Sequence, residues 1–147
     1  INALIEVQQQ GFFYHPRNVL DMGCGTGVLA IMAKRCGATN VVAVDIDDKS
    51  VTNSLENAQS NNVALDVRLG STPPEGEYDL ILANIHRNIL IAHMPAYANN
   101  LKTEGELWLS GFYQEDIAYL IQTAEQVGLT HIETRNTNEW QWLRLKK

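Results

Sequence analysis

A glycine-rich loop, placed between an apolar run and a helix-like segment, is the feature that most constrains the fold of this chain. The loop carries glycine at every second position, Gly23, Gly25 and Gly27, and it follows the apolar run that starts at Val19. Glycine permits positive φ in a tight turn and lets a ligand touch the main chain, while the first turn of a helix presents unpaired N–H groups. The pattern therefore predicts a strand, a ligand-binding turn and a helix at Val28–Arg35.

The next apolar run, 41–44, ends in an acidic residue, Asp45. A carboxylate at the end of the second strand of such a unit accepts hydrogen bonds from ribose hydroxyl groups. The dinucleotide fingerprint G-x-G-x-x-G would place glycine or alanine at position 28, where this chain has Val28. The residues therefore favour a nucleoside-binding turn, and a nicotinamide-dependent oxidoreductase is the weaker alternative.

Helix and strand signals alternate through the rest of the chain. A cap on Asp47 or Asp48 predicts a helix to about position 61 that carries Val51, Leu55 and Ala58 on one face. Strands are predicted at 65–69, 78–83 and 106–109, helices at 87–101 and 115–127, and hairpin strands at 129–134 and 140–145 across a turn at 136–138. This order predicts an α/β fold, a doubly wound, Rossmann-like, mostly parallel sheet closed by a C-terminal antiparallel hairpin.

Two residues are expected to interrupt or end the predicted helices in the second half of the chain. Pro95 is expected to interrupt or restart the helix at 87–101, because proline cannot donate to the helical ladder. Gly128 is expected to end the helix at 115–127, since glycine adopts the left-handed conformation of a helix C-terminus.

Composition indicates one domain over residues 1–147. The chain is 45% hydrophobic, which suffices for a single core, and it has only two cysteines, Cys24 and Cys36, so no disulfide framework is expected. The sequence shows neither a membrane-spanning apolar stretch nor a signal peptide, so we expect a cytoplasmic protein with no membrane partner. The net charge of −6 disfavours direct nucleic-acid binding. The four histidines lack metal-ligand spacing, so no metal site is expected.

Glycine and polar residues stand at the carboxyl ends of four predicted strands. These residues are Gly23, Asp45, Gly70 and Asn84. Because ligands of open α/β sheets bind beyond the carboxyl ends of the strands, we expect these residues to line one site. For Asn84 the sequence leaves two roles open, a substrate contact and the cap of the following helix.

Several short motifs carry a resemblance to a known family. The pattern D-x-G-x-G-x-G from Asp21 resembles the first motif of the class I methyltransferases that use S-adenosylmethionine (SAM). Asn84-Ile85 stands where many amino-group methyltransferases carry Asn-Pro-Pro-Tyr. Together with 44–47, 109–112 and Glu139-Trp140, these motifs resemble the catalytic domain of the ribosomal protein L11 methyltransferases over 19–145.

The resemblance implies a donor, an acceptor and a set of site residues. The donor is SAM, and the acceptor is an amine of a protein, a lysine side chain or the N-terminus of ribosomal protein L11. Asn84 is the catalytic candidate, and Ser71 stands where such enzymes often carry an acid for the adenine amino group. The candidate cofactor-binding residues are Asp21, Gly23, Cys24, Gly25, Gly27, Asp45, Ile46, Gly70, Ser71 and Asn84.

The chain begins at Ile1 without methionine, so we expect a fragment. The family carries, upstream, a threonine-containing segment that closes over the cofactor and a small domain that recognises the substrate. The alternatives are a SAM-dependent methyltransferase of a small molecule or a nucleic-acid base, and a non-catalytic nucleoside-binding domain.

Overall fold

The structure is a computed structural model that describes residues 1–147. Seven strands form a sheet that is mostly parallel and ends in an antiparallel hairpin, so the predicted fold class is confirmed. The chain comprises two compact units, Ile1–Ser71 and Thr72–Lys147. The expectation of one domain over 1–147 stays a prediction.

The first unit contains three parallel strands and three helices. Its elements are α1 (Asn2–Gln9), a 3-10 turn (Phe12–Tyr14), β1 (Asn18–Met22), α2 (Val28–Arg35), β2 (Asn40–Asp45), α3 (Asp48–Ser60) and β3 (Asp66–Leu69). The strand order is β3-β2-β1, with Leu20 opposite Val42 and Val44 opposite Arg68. Strand β1 is buried from Val19 onwards, as a parallel strand covered on both faces requires.

Helix α3 begins at the predicted cap, but it buries only part of the predicted face. Of the two candidate caps, Asp47 accepts the hydrogen bond, from the Ser50 amide at 2.9 Å. Of the predicted face, Ala58 is buried as expected, but Leu55 is exposed and Ser54 is the other buried residue. Ser54 takes the buried position since its small hydroxyl side chain finds hydrogen-bonding partners there.

The second unit carries the rest of the sheet. Its elements are β4 (Tyr78–Asn84), α4 (Arg87–Asn100), β5 (Leu101–Ser110), a 3-10 turn (Gln114–Asp116), α5 (Ile117–Gln126), β6 (Thr130–Thr137) and β7 (Trp140–Lys146). The strand order is β4-β5-β7-β6, in which β5 is parallel to β4 and antiparallel to β7. The hairpin is confirmed, but its turn lies at Asn138 and Glu139, which both have positive φ, and not at 136–138.

Two other expectations in this unit are corrected. Helix α4 is continuous through Pro95, so the predicted interruption is wrong. Pro95 itself is exposed, and buried Leu90, Met94 and Tyr97 hold the turns on both sides of it.

Strand β5 starts five residues before the predicted position 106, because a register shift lets both of its ends pair with β4. Gly128 ends α5 with φ +84°, as predicted.

The two edge strands carry the same kind of ion pair. In β3, Arg68 contacts Asp66 at 2.6 Å, and in β6, Arg135 contacts Glu133 at 2.6 Å. Both pairs join an acid to an arginine two residues later on an exposed or half-exposed strand. None of the helices has the length and apolar character needed to cross a membrane.

Candidate functional site

The glycine loop after β1 has the conformation that its glycines predict. Gly23, Gly25 and Gly27 all have positive φ, at +74°, +57° and +81°. The amides of Gly23 and Cys24 donate to the Val44 carbonyl at 2.8 and 3.0 Å, which ties the start of the loop to β2. Gly27 is the N-cap of α2, so the loop leads directly into the N-terminus of that helix.

Asp45 connects the ends of the three strands of this unit. Its Oδ2 accepts a hydrogen bond from the Gly25 amide at 2.8 Å, and its Oδ1 accepts one from the Asp47 amide at 3.0 Å. Its backbone carbonyl accepts the Gly70 amide at 2.8 Å. A carboxylate has about four acceptor positions, so both Asp45 oxygens keep capacity for further donors such as ribose hydroxyls.

Two further cofactor candidates of this unit have exposed side chains. Ile46, directly after Asp45, is 74% exposed, which is unusual for a large apolar side chain. An apolar side chain next to a carboxylate with open acceptor positions suits a nucleoside, whose base is flat and apolar on its faces and whose ribose is polar. Ser71, directly after Gly70, is also exposed.

Asp21 lies beneath the loop and supports it. Its side chain is 1% exposed, and its Oδ2 accepts the Ala30 amide in the first turn of α2 at 3.1 Å. Burial raises the pKa of Asp21 to about 7, with a smaller upward contribution from Asp45, while the hydrogen bond from Ala30 opposes the shift. The geometry fits the interpretation that Asp21 orients the loop, and its contact with a cofactor stays a prediction.

Cys24 occupies a buried position in the same loop. Its sulfur lies 3.4 Å from the Ser54 hydroxyl oxygen. Burial raises the pKa of the Cys24 thiol, so the nucleophilic thiolate is disfavoured. This arrangement agrees with a small packing residue.

Helix α3 contributes two contacts that the sequence analysis missed. The Ser54 hydroxyl donates to the Gly25 carbonyl at 2.8 Å, and the Asn57 side-chain amide donates to the Thr26 carbonyl at 2.8 Å. The available signal was a pair of polar residues three positions apart on the helix that follows Asp45. The sequence does not distinguish these two residues, because polar residues between apolar ones resemble a solvated helix surface.

The space around the glycines distinguishes their roles. A Cβ at Gly25 would meet no atom within 4 Å, so this residue borders open space. A Cβ at Gly27 would lie 3.0 Å from the Ser54 hydroxyl oxygen, so Gly27 is needed for close packing against α3. The main chain at Gly25 is therefore accessible, and the loop, Asp45 and Ile46 together fit a bound nucleoside.

Asn84 ends β4 in the second unit, opposite Ser110 of β5. The cap of the following helix is His86, so the interpretation of Asn84 as a helix cap is wrong. The exposed Asn84 side chain makes no hydrogen bond in the structure. A Cβ at Gly111, which has φ +85°, would lie 2.9 Å from both Asn84 Oδ1 and the Ile85 backbone nitrogen, so glycine is required beside this turn.

A buried carboxylate joins the segments that follow β4 and β5. Asp116 is 5% exposed and accepts Arg87, at the start of α4, at 2.9 Å. Its second oxygen accepts the Tyr113 amide at 3.0 Å. Asp116 thereby ties the segment that follows Asn84 to the segment that follows Gly111. No group of three or more His, Cys, Asp or Glu side chains is placed to hold a metal ion.

A family model and two curated relatives of this chain share one description. A family model described as ribosomal protein L11 methyltransferase (PrmA) matches residues 2–147. The ribosomal protein L11 methyltransferase of Porphyromonas gingivalis is 52% identical over 130 residues, covering 86% of this chain and 45% of the relative. That of Phocaeicola vulgatus is 40% identical over 144 residues, covering 95% of this chain and 50% of the relative.

A solved structure agrees with the sequence relatives. The ribosomal protein L11 methylase of Lactobacillus delbrueckii subsp. bulgaricus superimposes with a TM-score of 0.88 at 29% identity, covering 97% of this chain and 76% of that one. The chain spans about half the length of the curated relatives that it matches. Because the family model covers nearly every residue, the chain belongs to the ribosomal protein L11 methyltransferase family.

Proposed function

We propose that this protein transfers methyl groups from SAM to amino groups of ribosomal protein L11, on lysine side chains or the N-terminal amine. The observation that carries the proposal is the glycine loop tied to Asp45, with open space beside Gly25, in a chain of the L11 methyltransferase family. Because the proposed substrate is a ribosomal protein, we place the activity in the cytoplasm.

The donor site is proposed in the first unit. Asp45 holds the two ribose hydroxyls, the accessible main chain of the loop contacts the methionine part, and the exposed Ile46 packs against the adenine. Gly23, Gly25, Gly27 and Gly70 supply backbone at the strand ends, and Ser71 lies beside the base. When bound, SAM supplies a methyl group on a sulfonium, which makes the methyl carbon reactive toward an amine.

Asn84 is proposed to position the acceptor amine. Its free side-chain oxygen accepts a hydrogen bond from the amine N–H, which directs the nitrogen lone pair. A lysine amine has an ordinary pKa of about 10.4, so it must lose a proton before it attacks, and a desolvating pocket lowers that pKa. Asparagine is not a general base, so we propose that the proton leaves to water. Acceleration then comes mainly from holding the reacting atoms in line.

Calorimetric titration of the chain with SAM, S-adenosylhomocysteine and NAD tests the donor assignment. We expect both sulfur nucleosides to bind and NAD to bind far more weakly, since Val28 departs from the dinucleotide fingerprint. Tight binding of NAD without binding of SAM would replace the methyltransferase by the oxidoreductase alternative.

Mass spectrometry of L11 after incubation with the protein and SAM tests the acceptor. We expect added masses in steps of one methyl group, located on lysine or N-terminal amines. Methylation of an RNA base or a small amine under the same conditions, with L11 unchanged, would favour the alternative methyltransferase classes. Binding of SAM with no transfer to any of these acceptors would favour a non-catalytic nucleoside-binding domain.

A further inference from the structure

Two side chains of α3 bind two successive carbonyl groups of the glycine loop. Ser54 donates to the Gly25 carbonyl and Asn57 to the Thr26 carbonyl, both at 2.8 Å. Residues three positions apart lie on the same face of a helix, so one helical turn spans both contacts. Ser54 is fully buried, and Asn57 is half-buried.

The hydrogen bonds from Ser54 and Asn57 determine the direction in which the N–H groups of the glycine loop point. In a trans peptide the N–H points away from its C=O, so the Gly25 carbonyl, turned toward Ser54, directs the Thr26 N–H away from α3. That N–H makes no hydrogen bond in the structure. The next N–H, of Gly27, donates to the Cys24 carbonyl at 2.8 Å and closes the turn.

Gly25 is held at both of its backbone polar groups. Its N–H donates to Asp45 on one side, and its C=O accepts from Ser54 on the other. A loop with three glycines loses much conformational entropy when it is ordered. External side chains that fix the peptide groups before a ligand arrives reduce the ordering cost of binding.

We propose that Ser54 and Asn57 are positioning residues for the methyl donor. They act through the loop. Ser54 holds the Gly25–Thr26 peptide group so that its unbonded N–H faces the donor, and Asn57 holds the Thr26–Gly27 peptide group that closes the turn. The inference rests on the proposed function, since it assigns α3 to the same donor site.

The test compares three variants with one control on the same helix. Asn57→Ala removes one donor, Asn57→Asp removes it while keeping the size of the side chain, and Ser54→Ala removes the other. Asn53→Ala is the control, because the Asn53 side chain is exposed on α3 and makes no hydrogen bond. We expect S-adenosylhomocysteine to bind about threefold to tenfold more weakly to each variant by calorimetry, as a hydrogen bond of ordinary strength implies. The control should bind like the parent.

Two readouts separate positioning from general stabilisation. Thermal melting of the ligand-free variants reports on folding, and affinities are measured well below the lowest melting temperature. In the methylation assay, the variants should raise KM for SAM and leave kcat at saturating SAM near that of the parent. A merely structural role would lower the melting temperature without changing either the affinity or KM.

The outcomes distinguish this inference from the proposed function. If the parent binds S-adenosylhomocysteine and the three variants bind it as the Asn53→Ala control does, then the positioning role is wrong and the proposed function stands. If the parent binds neither SAM nor S-adenosylhomocysteine, the proposed function and this inference both fail.

Discussion

Asp45 combines a structural and a binding role in one side chain. It accepts backbone amides from Gly25 and Asp47, and it retains acceptor positions on both oxygens. The side chain is therefore oriented in advance, which lowers the cost of binding a ribose. Its location at the end of β2 was predictable from the sequence, whereas its bond to Gly25 required the three-dimensional course of the loop.

Asp45→Ala should lower the affinity for SAM by about tenfold to a hundredfold, since hydrogen bonds to a charged carboxylate contribute about 1.5 to 3 kcal/mol. Calorimetric titration measures the effect. Asp48→Ala is the matched control, because Asp48 is exposed in the first turn of α3 and its carboxylate contacts no loop amide. Equal affinities of the Asp45→Ala variant and the control for SAM would contradict the assignment of Asp45 as the ribose-binding residue.

Asp21 should make stability depend on pH. The folded protein keeps the proton on Asp21 up to about pH 7, because burial raises its pKa, whereas an unfolded chain releases it near its ordinary pKa of about 4. Between these values the folded state binds more protons at Asp21, so the contribution of this residue to the free energy of unfolding falls as pH rises.

Asp21→Asn should remove this fall, since the amide oxygen can still accept the Ala30 N–H and nothing titrates. Urea unfolding at intervals between pH 4 and pH 7 measures the difference between parent and variant. Parallel stability curves over this range would show that Asp21 does not titrate there.

At the scale of elements, the apolar runs and glycines of the sequence predict the strands and turns correctly, whereas the polar faces of the helices do not reveal their contacts. The glycine loop, the strand at Tyr78–Asn84 and the hairpin can be predicted from apolar runs that are bounded by glycine and other turn-forming residues. The continuity of α4 through Pro95 depends on tertiary packing, which overrides a local helix breaker. The role of Ser54 and Asn57 depends on which chain segment faces α3, and that information is not local in the sequence.

Gly25 and Gly27 of the loop should respond differently to substitution. Gly25→Val places a branched side chain in the open space beside the loop and penalises positive φ, so we expect binding of SAM to be lost. Gly27→Ala brings a methyl group against Ser54, so we expect a lower melting temperature of the ligand-free protein. Calorimetry and thermal melting of both variants check the contrast. A Gly25→Val variant that folds and binds SAM like the parent would contradict it.

The buried carboxylate of Asp116 should affect transfer more than donor binding. Asp116→Ala leaves Arg87 and the Tyr113 amide without their partner and frees the segments beside Asn84 and Gly111. We expect kcat to fall about tenfold, because small displacements of a positioning group cost large factors in rate. The affinity for SAM should stay within about twofold of the parent value.

Glu115→Ala is the control for this variant, since the Glu115 side chain is exposed in the same 3-10 turn and makes no hydrogen bond or ion pair. Steady-state methylation assays and calorimetry give the two quantities. A loss of donor affinity as large as the loss of kcat would show that Asp116 does not act on the acceptor side alone.

At the scale of the whole molecule, we expect recognition of L11 to need residues beyond these 147. The curated relatives are about twice as long as the matched segment, and the family resemblance implies a substrate-recognition domain upstream. We therefore expect this 147-residue chain to methylate L11 much more slowly than the full-length Porphyromonas gingivalis relative. Fusing the N-terminal part of that relative to this chain should raise the rate, because tethering the substrate raises its effective concentration.

Methylation of L11 under identical conditions, followed by mass spectrometry, compares the chain, the fusion and the relative. A rate for the chain alone equal to that of the relative would mean that the acceptor is recognised within these residues. In that case, substitutions at Asn84, His86, Arg87 and Phe112 would be the next measurements.

The acid–arginine pairs on β3 and β6 have a consequence for behaviour in crowded solution. Exposed ion pairs contribute only about 0 to 1 kcal/mol to stability, so stability gives little reason for them. Both pairs lie on edge strands, whose unpaired N–H and C=O groups would otherwise accept another extended chain. Charges along such an edge must be desolvated before a second strand can pair, which opposes fibril growth. The two pairs should therefore help the protein to resist aggregation at high concentration.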